Sequence, residues 1–263
     1  MAKIVPLESR AFGAEPGVPD VAALASWVAD HRGISADLYS YRLDQSLAPQ
    51  LSAGITYPCA GGLFCNERIR ASLSGLSGDI ITDEIGVETG VLREDAQLIA
   101  ALKKGVWCAI PAPHELGLKD RYYHDEDEWN AALSGAYRTI MREMRDAGIG
   151  GHIILCAETT EPEISQLARD RVFFFPTDPK KEGLQVLMEH QSRVAAGKKM
   201  LDTVFDLANE YDLRQLIVMD PDEESVRFAL SHLDPDQIMA GGYCTEACDT
   251  YWEKLVVSAV YRK

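Results

Sequence analysis

From residue 79 to the C-terminus the chain alternates short apolar runs with stretches of helical periodicity. The runs cover residues 79–83, 106–110, 152–156, 172–175, 216–219 and 237–240. Each is apolar on consecutive residues, the pattern of a strand buried on both faces of a parallel sheet. Between them Trp129, Ala132, Leu133, Ala136, Ile140 and Met144 recur at helical spacing, and Gly148 sits where a C-cap belongs. Further helices are predicted over 161–170, 223–230 and 246–259. One long helix, or two broken near Gly197, is predicted over 184–209.

Residues 1–78 lack this rhythm. Val21, Leu24, Ala25 and Val28 predict a short helix opened by Pro19 and Asp20 and stopped by Gly33. Residues 39–43 read as a strand, and 46–78 is irregular and rich in Ser, Gly, Ala and Pro. The expectation is one α/β domain, with 1–78 an irregular capping region and 79–263 the regular core. Six strands favour an open, mostly parallel, doubly wound sheet with helices on both faces, Rossmann-like in outline. The alternative, a (β/α)8 barrel, needs two more strands, from 39–43 and from 46–78.

Composition narrows the class of partner. The chain has 263 residues, and its 26 Lys+Arg against 41 Asp+Glu give a formal charge of −15. That balance argues against binding duplex nucleic acid or an anionic membrane, both of which call for a basic surface. The N-terminus lacks the apolar core of a signal peptide, and no run is long enough to span a bilayer, so a cytoplasmic protein is expected. Six cysteines are too few for a disulfide scaffold and are expected as thiols or metal ligands. Cys108 and Cys156 lie within apolar runs and read as small buried hydrophobes.

In either architecture, ligands bind in the loops that follow the strands. His114-Glu115 follows a Pro111-Ala112-Pro113 turn and offers an acid/base pair, since imidazole titrates near neutrality. Position 118 is Leu, so the His-Glu-x-x-His zinc pattern is absent. Asp83, Glu84 and Glu158 leave predicted strands with weak capping credentials and are candidate ligands for a divalent metal. Thr177, Asp178 and Asp220 are candidate substrate contacts, although an Asp before Pro is also an ordinary turn-and-cap signal. Arg68 and Arg70, beside the Gly61-Gly62 turn, could receive a carboxylate or phosphate.

Cys244 follows Gly241-Gly242 into a helix, a setting that activates a thiol as nucleophile or ligand. Together Cys59, Cys65, Cys244 and Cys248 form an alternative metal set, for zinc or an iron–sulfur cluster, though neither local spacing is a standard signature. Gly148 to Gly151 precedes a strand, the wrong order for a phosphate loop, and no dinucleotide fingerprint is present. The acidic run from Asp125 to Glu128 reads as the first turn of a helix.

The leading expectation is therefore an enzyme acting on a small polar or anionic molecule, with or without a divalent metal. A cysteine-ligated metal protein and a non-catalytic small-molecule-binding module are the alternatives. The predicted 184–209 helix suits a homo-oligomer.

Overall fold

The computed structural model describes residues 4–31, 36–246 and 248–262; the helix stop expected at Gly33 lies outside them. Eight parallel strands carry the fold: β1 (Ser9–Ala14), β2 (Cys59–Gly61), β3 (Trp107–Pro111), β4 (Gly151–Cys156), β5 (Val172–Pro176), β6 (Arg193–Gly197), β7 (Gln215–Met219) and β8 (Ile238–Cys244). A helix follows each one. These are α1 (Leu38–Ala53), α2 (Gly90–Leu102), α3 (Glu126–Asp146), α4 (Glu161–Leu167), α5 (Lys181–His190), α6 (Leu201–Leu207), α7 (Glu223–Leu230) and α8 (Cys248–Ser258).

Strands β2 to β5 hydrogen-bond in sequence order, as do β6 to β8, and β8 then pairs with β1. No strand order reverses, so of the two expected arrangements the chain adopts the barrel. Two seams complete the cylinder. At the first, Tyr57 N–H donates to Ser9 O (2.9 Å), Ala11 N–H donates to Tyr57 O (3.0 Å), and Ser9 and Thr56 exchange backbone-to-hydroxyl bonds. At the second, the Gln191 amide stands in for a strand. Its Oε1 accepts from Phe174 N–H (2.8 Å) and its Nε2 donates to Phe174 O (3.2 Å).

The continuous apolar runs are explained by burial on both faces. Phe173 and Phe175 point into the barrel against Phe12, at ring separations of 5.2 and 4.5 Å. Phe174, between them, packs into the layer under the helices with Ile154 and Val194.

Four expectations change. The 1–78 stretch is not a cap, because it supplies β1 and β2. Residues 39–43 lie in α1, whose start is fixed by reciprocal Asp37–Ser40 capping. The 79–83 run belongs to an antiparallel hairpin, Leu73–Ser77 with Ile80–Val87, outside the barrel. Within 184–209 the chain makes α5, β6 and α6. The alanines of β6 favour helix by intrinsic propensity, and pairing with β7 overrides it.

Candidate active site at the barrel mouth

The C-terminal ends of β5 to β8 enclose a cleft of about 500 Å³. Phe175 and Met219 form its apolar wall, while Thr177, Lys198, Lys199, Asp220 and Tyr243 bring polar groups to it. Each comes from a strand end or the first residues after it, which is where barrel geometry gathers side chains from distant parts of the sequence.

Tyr243, at the end of β8, donates to Glu15 Oε1 at 2.6 Å. Glu15 follows β1 directly, and its carboxylate also accepts from the Leu63 and Phe64 backbone N–H groups after β2. Gly62 permits this approach, because a Cβ there would collide with the Glu15 carboxylate and with Ala14 O. Arg42 lies 3.8 Å from the same carboxylate and stacks over Phe64.

A second tyrosine–carboxylate pair stands beside the first, where Tyr251 of α8 donates to Asp220 Oδ1. Asp220 leaves β7 with φ 46°, a left-handed conformation that Asp tolerates better than most residues and that often marks a working position. Burial, reinforced by the facing carboxylates, holds both tyrosine hydroxyls well above their ordinary pKa. They therefore stay protonated and donate at neutral pH.

Lys198 is tied to Asp222 at 2.9 Å and to Glu224 at 2.5 Å. Asp222 is the N-cap of α7, accepting from Ser225 N–H at 2.7 Å. Its pKa is lowered by that bond first and by Lys198 next. Lys199 has no carboxylate within 4.0 Å among the described residues.

The structure separates the residues singled out from sequence. Thr177 and Asp220 line the cleft, and Cys244 ends β8 beside it; Asp178 is exposed next to Thr177. His114 and Glu115 form a distinct cluster at the outer rim. His114 Nδ1 meets Glu163 Oε2 of α4 at 2.7 Å, and its backbone N–H donates to Glu163 Oε1, also at 2.7 Å. Glu115 Oε1 accepts from Ala157 N–H at 2.7 Å and lies 3.4 Å from His114 Nε2. Burial alone would lower the His114 pKa, but the Glu163 hydrogen bond and charge, with Glu115, outweigh it and raise the pKa.

Neither expected metal set gathers. Asp83 and Glu84 are exposed on the hairpin, and Glu158 pairs with Lys180. Cys244 and Cys248 are joined as a disulfide, against the expectation of thiols or metal ligands, which also leaves Cys244 no free thiol to act as nucleophile. Cys59 and Cys65 are buried, and burial pushes the Cys65 thiol up to about 12, away from the thiolate a metal needs. Among the described residues, the one group of three donors close enough to share an ion is Glu161, Glu189 and His190, on the flanking helices. Arg68 ties the N-cap of α1, Asp37 (2.7 Å), to Asp95 of α2 (3.0 Å), Arg70 Nη2 donates to Gly78 O at the hairpin turn, and neither lines the mouth cleft.

No protein-family model matches the chain, and no curated protein matches it in sequence. Solved structures do match in shape. The barrel is shared with two solved structures described as methionine synthases. A putative vitamin-B12-independent methionine synthase from Listeria monocytogenes superposes with a TM-score of 0.67 at 14% identity, over 97% of this chain and 96% of that one. A B12-independent methionine synthase from Shewanella sp. W3-18-1, in complex with selenomethionine, gives 0.56 at 14% identity, over 84% and 85%. At this identity the likeness concerns architecture. Among the described residues no helix is long and apolar enough to cross a membrane.

Proposed function

We propose that the chain is an enzyme acting on a small zwitterionic, amino-acid-like molecule held at the barrel mouth. The supporting observation is the pair of oriented carboxylates, Glu15 under Tyr243 and Asp220 under Tyr251, beside a cleft that also carries Lys199. The carboxylates suit a substrate ammonium group. Lys199 suits its carboxylate, and Phe175 and Met219 suit an apolar side chain. The selenomethionine bound by a protein of the same fold makes sulfur-containing amino acids the first class to examine.

The test is calorimetric titration with methionine and homocysteine, alongside methionine methyl ester and the amine lacking the carboxylate. The zwitterions should bind, the ester should bind more weakly, and Lys199→Ala should remove that difference. Asp220→Asn should weaken every amine-bearing ligand by about tenfold, the size of one lost charge-assisted bond. If no amino acid binds, or if neither substitution matters, the reading fails.

A further inference from the structure

We propose that the opposite, N-terminal face of the barrel binds a compact polyanion, a small molecule bearing several phosphate groups. A groove of about 1320 Å³ opens there, and seven of its lining side chains are arginines. Arg138, Arg142 and Arg145 come from α3, Arg169 and Arg171 from the α4–β5 connection, and Arg193 and Arg214 from the entries to β6 and β7. The chain has a net charge of −15, yet among the described residues Asp170 is the only carboxylate lining this groove.

The concentration follows from placement. Positions 138, 142 and 145 fall on one stripe of α3, and the strand entries bring the other four arginines to the same end of the barrel. Arg142 has Glu143 at 3.7 Å and Arg214 has Asp212 at 2.7 Å. The other five have no carboxylate within 4.0 Å among the described residues. Arg145 shows the crowding, its pKa being lowered by burial first and then by Arg171. Seven guanidinium groups gathered around one hollow with few carboxylates among them give it a positive potential that favours an anion.

The chemistry of the groove points to phosphate. It is lined by arginine with no lysine, and the planar guanidinium forks match tetrahedral or carboxylate oxygens two at a time. The cations converge on one hollow, which suits a compact ligand better than an extended polymer. The site lies at the far end of the barrel from the mouth, so its failure would leave the proposed function untouched.

Inorganic tripolyphosphate is the probe. Titration calorimetry should detect one site whose affinity falls steeply between ~50 and ~300 mM salt, as charge screening requires. The Arg169→Ala/Arg214→Ala double variant should bind at least about tenfold more weakly with an unchanged circular dichroism spectrum. Lys254→Ala, on the exposed side of α8, should bind like the wild type. Absence of binding at low salt, or equal weakening in the Lys254 control, would overturn the proposal. So would tighter binding of a single-stranded oligonucleotide. A concentration-dependent dimer that the double variant dissolves, with no tripolyphosphate bound, would instead assign the groove to an acidic face of a second copy.

Discussion

The Tyr243 hydroxyl donates to Glu15 across the junction where the last barrel strand lies beside the first, joining residues 228 positions apart in sequence. The bond both orients a mouth carboxylate and ties the closure of the barrel. Tyr243→Phe leaves Glu15 its backbone donors at Leu63 and Phe64, so the barrel should persist. Chemical denaturation should show a loss of about 1 kcal/mol, the usual net worth of one such bond. Under the proposed function, amino-acid binding should weaken in parallel. A variant as stable as the wild type and equally able to bind would remove Tyr243 from both roles.

Of the residues expected in the loops after the strands, Thr177 and Asp220 line the mouth cleft. Thr177 and Asp220 were legible because β5 and β7 are bulky, consecutive apolar runs whose exits can be read directly. Glu15 was hidden because β1 (Ser9–Ala14) is small and lies in a stretch without rhythm. Lys198 and Lys199 were hidden because the alanines of β6 continue the helical pattern of their neighbours. The carboxylates of the hairpin misled for a related reason. Residues 79–83 look like a buried strand, but only Ile81 of the run is fully buried, and a one-sided antiparallel strand results. His114 was visible as a polar residue after a rigid turn. Its partner Glu163 was not, because an acid in a first helical turn reads as a response to the helix dipole.

Gln191 closes the barrel where β5 and β6 exchange no ladder bonds. Its amide satisfies the buried N–H and C=O of Phe174 and also donates to Arg193 O at 2.7 Å. Gln191→Leu keeps the volume and strands these groups without partners. The expected destabilisation is about 2–4 kcal/mol, since two buried backbone groups lose their bonds in a place closed to water. Urea denaturation measures it, and a change below ~0.5 kcal/mol would mean that the seam closes by other contacts.

The Cys244–Cys248 disulfide makes a direct prediction about thiol content. Four cysteines remain free, all buried: Cys59, Cys65, Cys108 and Cys156. Denatured protein kept from reductant should therefore titrate four thiols, and reduced protein all six. Excess thiol reductant opens such a bond, so protein prepared under strongly reducing conditions should titrate all six. Six thiols without any reduction would show that the bond does not form.

The His114–Glu163 contact gives stability a dependence on pH. The folded chain binds the His114 proton more tightly than the unfolded chain, whose imidazole titrates near ~6.5. The contribution is complete below that pH and is lost as pH rises through the higher folded value. With the imidazole side chain 34% exposed, solvent screening keeps the effect small. Glu163→Gln removes the charge that raises the pKa, so the decline in stability above ~6.5 should flatten in the variant. Proton NMR of the His114 ring should show its titration midpoint above ~6.5 in the wild type and lower in the variant. A midpoint unmoved by the substitution would mean that Glu163 positions the loop without binding the proton.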